Sequence, residues 1–153
     1  MAGFAAGLAG GFTMSQFTRL WEIVSRSAPQ PLPYSPEEWE AAGGMANAIA
    51  KQLLGTGLSR DQIKHGAAVV HYGTAGAAGV IYAMTSSADA RRWSGVLLGL
   101  TTLLLGNDLL MPALGLTKKP SEYSIRMRAN ALGEHVVYGV TVDLVYRRLN
   151  KLL

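Results

Sequence analysis

Residues 93–116 read WSGVLLGLTTLLLGNDLLMPALGL and carry one charge, Asp108. A helix needs roughly 20 predominantly apolar residues to cross the hydrocarbon of a bilayer, and this run is longer than that. Residues 66–85, GAAVVHYGTAGAAGVIYAMT, form a second such run, with no formal charge when His71 is neutral. A surface helix of a soluble domain keeps one charged face, and neither run has one. The expectation is an all-α, polytopic membrane helical bundle. A soluble helical bundle is the lesser alternative, kept open by Glu134 and Asp143 in the last apolar segment.

Composition agrees with the membrane expectation. The 153 residues are 49% hydrophobic and 16% charged, against about 25% charged in ordinary soluble domains. The 18 glycines fit the higher glycine use of transmembrane helices. Mean hydropathy is only mildly positive, so part of the chain belongs outside the lipid. The net charge of +4 is spread along the chain with no basic run and no interleaved aromatics, so no nucleic-acid partner is expected. Cationic residues near anionic headgroups account for it better. With no cysteine there is neither a disulfide nor a thiolate metal site to consider.

Working outward toward the N-terminus, residues 2–24 read as a first helix. Gly3, Gly7 and Gly11 recur every four residues and form a small-residue stripe on which a second backbone can lie close. Arg19, Trp21 and Glu22 fall at its end, where Trp anchors and Arg snorkels. The segment lacks a basic n-region and an A-x-A-like cleavage site, so a retained helix is expected in place of a signal peptide. Residues 28–36 hold Pro29, Pro31, Pro33 and Pro36 and form no regular helix. Ser35-Pro36-Glu37-Glu38 is a capping box with proline at the first helical position. It opens an amphipathic helix over 36–54 that is too mixed to span and is expected to lie at the interface. Gly55 and Gly57 end it, and Ser59 with Gln62 forms a second capping box before the 66–85 run.

Working toward the C-terminus, Ser86, Ser87 and Asp89 separate the two apolar runs, and Arg91, Arg92 and Trp93 mark a membrane surface. The central run carries Gly95 and Gly99, again four apart, and Pro112 should kink or end it. Lys118, Lys119 and Pro120 form a polar turn, and Ser121 is read as the cap of a final helix reaching about Leu149. The sum is about four transmembrane helices plus one interfacial helix, in one membrane domain over 1–153. The connections 1–2 and 3–4 hold eight Lys and Arg, against five in the 2–3 turn and the C-terminus. The first connection is long, and orientation follows charges close to the crossings, so the counts assign no orientation.

The two halves, 1–86 and 87–153, carry a matching pattern. His71 is followed by Thr74 three positions on and Tyr82 eleven on, and His135 by Tyr138 three on and Tyr146 eleven on, the longer spacing being close to three helical turns. A tandem repeat of two helix-pair units is the reading, of a kind common in transporters. LLMPALGLT at 109–117 and GEHVVYGVTVDLVYRRL at 133–149 resemble the YagU-like family of small bacterial inner-membrane proteins. Glu134, His135, Tyr138 and Gly139 match that family's acid–His–aromatic–Gly cluster, and His71 resembles an upstream family histidine. The resemblance covers roughly residues 66–149 and departs at Asn107-Asp108 and over 37–54. It implies an integral α-helical protein of the bacterial inner membrane and assigns no mechanism.

Ionisable groups at membrane depth are costly and are functional candidates by default. Here they are His71, Asp108, Glu134 and His135, with Tyr138 beside them and Asp143 nearer a helix end. Each also has a structural reading, as a satisfied polar residue between helices or an acid reaching water at a helix end. Together they would form a proton or ion relay. His71 and His135 alone would suit the axial ligands of a haem b, with Ala68, Gly73, Gly133 and Gly139 making room. No other cofactor and no metal is expected. The chain has no HExxH, phosphate-binding glycine loop or G-x-S-x-G, and Ser15 or Thr74 are only nominal nucleophiles. A non-enzymatic accessory or assembly subunit is therefore the first functional expectation. The stripes at Gly3, Gly7, Gly11, Gly73, Gly95 and Gly99 give more small-residue surface than four helices need among themselves, so some of it would pack against a second copy or another membrane subunit.

Overall fold

A computed structural model describes residues 1–25, 36–86 and 93–152. Among these the chain is all-α: α1 (Ala2–Ser25), α2 (Pro36–Leu54), α3 (Arg60–Thr85), α4 (Ser94–Ala113) and α5 (Ile125–Asn150), with a 3-10 turn at Pro120–Glu122. The proline turn at 29–33, Ser35, and the break and cations at Ser87, Asp89, Arg91 and Arg92 lie outside the described residues.

The helix starts follow local chemistry. At the head of α3, Ser59 N–H donates to Gln62 Oε1 at 2.8 Å and Gln62 N–H donates to Ser59 Oγ at 3.4 Å, the reciprocal capping expected from the sequence. The last helix starts later than expected. Ser121 lies in the 3-10 turn, where Glu122 Oε2 accepts from Lys119 N–H at 2.7 Å. The cap of α5 is Ser124, whose Oγ accepts from Met127 N–H at 3.3 Å.

Pro112 does not end α4. It has no N–H to give to the carbonyl of Asp108 four residues back, and the turns before it widen into a π-helix over Thr102–Leu110. The helix ends beyond it at Gly115, whose φ of +69° suits glycine. There Gly115 N–H bonds Pro112 O and Leu116 N–H bonds Met111 O, each at 3.0 Å, which is a Schellman closure.

The packing order is set by small residues. A Cβ at Gly3 would fall 2.6 Å from Ala83 Cβ, and one at Gly7 would lie 2.8 Å from Gly76 Cα. Gly11 faces Ala75 and Tyr72. Contacts that descend along α3 as α1 ascends make the pair antiparallel. On its other side α1 lies antiparallel to α5: Gly10 meets Val142 and Tyr138, and Gly133 meets Phe17. Gly95 and Gly99 bring α4 onto the α5 backbone at Gly139 and His135, and α2 rests on α3 through Gly43 against Ile63. Tyr138 and Tyr146 of α5 donate to the carbonyls of Ala75 and Ala83, both 63 positions back, so α3 and α5 run parallel. Gly73 lies on the outer face of α3: it is exposed, and an added Cβ there would meet nothing within 4 Å among the described residues.

Among the described residues two helices, α3 and α4, are long and apolar enough to cross a membrane, against the four expected. α1 falls short because its glycines, Gln16 and Arg19 dilute its hydropathy, and α5 because it carries Arg126, Arg128, Glu134, Asp143, Arg147 and Arg148. The core helix of a soluble protein would be mostly buried, yet only 28% of the apolar window of α3 and 11% of that of α4 are covered. The largest fully buried side chains are Glu134 and Val142, while Leu97, Leu104, Leu105, Leu109, Ile81 and Met84 are exposed. Glu134, His135 and Asp143 are buried alongside apolar residues such as Ala6, Leu103 and Val142, while many large apolar side chains are exposed, an unusual balance for a water-soluble core.

Candidate functional site

The buried polar groups sit along α5, where it is covered by α1, α3 and α4. Near its start, Glu134 is fully buried. Its Oε1 accepts from Thr18 Oγ1 of α1 at 2.5 Å and from Asn130 Nδ2, one turn earlier on α5, at 2.7 Å. A carboxylate taken out of water needs such donors, because each missing one leaves a desolvated acceptor. One turn on, Tyr138 is 3% exposed and donates to Ala75 O of α3 at 2.7 Å. That carbonyl lies in the helical ladder and receives the tyrosine on its second lone pair. Thr13 and Thr141 add a 3.0 Å bond between α1 and α5.

Near the other end of α5, Asp143 is 7% exposed, so of its two readings the one as an acid reaching water does not apply. Tyr82 of α3 donates to Asp143 Oδ1. Arg147, one turn further along α5, donates its Nε to the same oxygen at 2.7 Å. Ser94, at the start of α4, bonds Tyr82 Oη at 2.8 Å and Asp143 Oδ1 at 3.3 Å, and receives Arg147 Nη2 at 3.2 Å. Three helices therefore end on one carboxylate. Tyr146 stacks edge-on against Tyr82, with ring centroids 5.8 Å apart.

The remaining candidates have local partners. The offset of 63 residues between α3 and α5 puts His71 level with Glu134 and within one residue of His135. His71 Nε2 nevertheless faces α1, 3.3 Å from Gly11 O and 3.4 Å from Ser15 Oγ. His135, 6% exposed, turns Nδ1 to Ala131 O of its own helix at 2.9 Å. Asp108 pairs with Arg128 at 3.3 Å. Among the described residues no hydrogen bond joins one of His71, Asp108, Glu134, His135 and Tyr138 to another.

The residues present do not fit a haem between His71 and His135. The space expected from small residues is taken: Gly133 is filled by the Phe17 ring and Gly139 by the backbone of Gly95 and Gly99, and Gly73 lies on the outer surface. Ser15 beside His71 has the composition of a nucleophile and base. Its hydroxyl, however, donates to Gly11 O at 3.0 Å, the ordinary bond of a serine within a helix. Among the described residues no group of three or more His, Cys, Asp or Glu could hold a metal ion.

Sequence reasoning missed Thr18, Asn130 and Ser94 as carboxylate donors and underrated Asp143. The Asp143–Arg147 spacing of four was a readable helical pair, whereas Tyr82 and Thr18 meet their acids only through the packing. In comparisons with family models, curated proteins and solved structures, nothing matches this chain.

Proposed function

We propose that this chain is a multi-pass protein of the bacterial inner membrane that acts as a non-enzymatic assembly subunit, docking against a second copy through the outer face of α3. In this reading α1, α3, α4 and α5 cross the bilayer and α2 lies at its surface. Two helix-pair units are related as the His71/Tyr82 and His135/Tyr146 pattern suggests. The likeness of 109–117 and 133–149 to YagU-like proteins belongs to the same proposal.

One observation carries it. The stripes of α1 and α4 are occupied within the chain, but Gly73 and Ala77 are exposed one turn apart on α3, beside exposed Val69, Val80, Ile81 and Met84. A pair of small residues amid branched ones lets a second helix backbone approach closely where the hydrophobic effect gives no help. The test is the native mass in mild detergent of the parent and of Gly73→Leu. The parent should run at a multiple of 16.3 kDa and the variant as a single chain with unchanged melting. A variant that keeps the parent's mass overturns the α3 contact. A mass above the multiples would reveal a different subunit, and dispersal in buffer without detergent would overturn the membrane reading.

The second reading is a proton or ion relay, favoured by one observation: Glu134 has no exposed surface in a bundle whose exterior is apolar. It calls for flux in vesicles that Glu134→Gln abolishes while the oligomer persists, and flux that survives Glu134→Gln overturns it.

A further inference from the structure

We infer that the groove between α4 and the start of α5 holds one anionic phospholipid, with its phosphate at Arg128 and an acyl chain along the leucines behind it. The inference rests on the membrane reading above and is independent of the α3 contact.

The groove has a physical origin. Close approach of α4 to α5 is concentrated in Ser94–Thr101, where Gly95 and Gly99 let the backbones touch, and thins out beyond it. Beyond Gly99 the residues toward α5 become leucines, and at Thr102 the helix widens into its π segment. π-Helical turns are rare and are found disproportionately at functional sites. The helices part there to leave a lateral groove of about 420 Å³.

Its lining is ordered along the helix axes. Asp108 and Arg128 stand at one end, one near the last turns of α4 and the other in the first turn of α5. Leu132 and Leu104 follow one turn further from the charged end, then Leu103 and Leu100. Helix ends lie at headgroup depth and helix middles in hydrocarbon. The sequence of surfaces, cation first and leucines behind, is that of a phospholipid lying against the bundle. A free phosphate would use the cation and leave the leucines without a role.

Charge also fits. Between Asp108 and Arg128 the chain carries Lys118, Lys119, Arg126 and Arg128 against Asp108 and Glu122, and basic clusters at helix ends recruit anionic headgroups. The side chain of Arg128 is 45% exposed. It gives Nη1 to Pro120 O at 3.1 Å and Nη2 to Asp108 at 3.3 Å, the latter long for a charge-assisted bond. A guanidinium has five N–H donors, so donors remain for a phosphate oxygen.

The test uses the full chain in mild detergent with equal amounts of dioleoylphosphatidylglycerol and dioleoylphosphatidylcholine, counting bound lipid by native mass spectrometry. The parent should retain the anionic lipid about fivefold over the zwitterionic one, the discrimination expected of one cation at a headgroup. Arg128→Gln should remove the preference, and Asp108→Asn should raise it by removing the competing carboxylate. Ala129→Trp, on the groove wall, should lower retention of both lipids. Arg148→Gln, at the opposite end of α5, should change nothing. Equal retention of the two lipids by the parent overturns the inference, as does a preference that survives Arg128→Gln or disappears in Arg148→Gln. Displacement of the lipid by inorganic phosphate at equal concentration would assign a free-anion site and overturn it also. Should Arg128→Gln fail to fold, the opposite effects of Asp108→Asn and Ala129→Trp decide. A protein that needs detergent but shows no preference loses only the lipid site; one that needs no detergent loses the membrane reading.

Discussion

Thr18 Oγ1 and Glu134 Oε1 lie 2.5 Å apart across the contact of α1 with α5, and the Glu134 side chain has no surface of its own. The acid is fully buried in a bundle that exposes many leucines, isoleucines and phenylalanines. Asn130 adds a second donor from the preceding turn. Such an arrangement ties two helices at a fixed register, because a shift of one residue would take the Thr18 donor away from a desolvated carboxylate.

Replacement of Glu134 by Gln should be nearly neutral for folding, since an amide oxygen still accepts from Thr18 and Asn130. Glu134→Ala should cost about 2–4 kcal/mol, combining lost bonds with a cavity in a closed part of the bundle. Thr18→Val, which keeps the shape and removes the donor, should cost about 1–3 kcal/mol. Thermal unfolding in detergent followed by circular dichroism ranks the three. Equal losses for Gln and Ala would mean that the charge itself holds the fold.

The knot at the far end should behave differently, because Asp143 is shared by three helices. Tyr82→Phe keeps the edge-on contact with Tyr146 and removes one donor to a charged acceptor, at a cost of about 1.5–3 kcal/mol. Asp143→Ala leaves Arg147, Tyr82 and Ser94 without their common acceptor and should cost more. In a double-mutant cycle the two changes should be strongly non-additive, with a coupling of about 1–3 kcal/mol. Additivity would mean that Tyr82 and Asp143 do not act together.

That knot also marks where the sequence stops being legible. Helix bounds came from local chemistry: the bounds 36–54 and the Ser59/Gln62 cap depend only on neighbours a few residues away. Gly3, Gly7 and Gly11 could be read as a packing stripe because their spacing defines one face. The run from Gly73 to Gly79, GTAGAAG, puts small residues on every face of α3. Its buried side was decided by Phe4 and Gly7, far away in the chain, and it is Gly76 and Gly79 that are covered. Ser121 and Ser124 are equally good caps in sequence, and the 3-10 turn built on Pro120 chose between them. The widening of α4 leaves no mark in hydropathy, since leucines surround the helix there. Partners such as Tyr82 with Asp143, 61 positions apart, have no local signature.

The glycine contacts give the sharpest contrast between sites that look alike in sequence. At Gly99 a Cβ would land on the carbonyl oxygen of His135, and at Gly95 it would fall 2.7 Å from Gly139 O. Both neighbours are backbone and cannot swing away. Gly99→Ala should therefore push α4 off α5 and cost about 1–3 kcal/mol net, the usual penalty of overpacking, even after the better helix propensity of alanine. Gly73→Ala meets nothing within 4 Å among the described residues of its own chain, keeps the face small for a second copy, and should raise the unfolding temperature slightly, by the helix-propensity gain of about 0.5–1 kcal/mol. The two substitutions add the same methyl group to long apolar helices, so propensity alone would move both in the stabilising direction. Thermal unfolding of the pair in one detergent separates the effects. If both variants gained stability, the close approach of α4 to α5 at Gly99 would be wrong.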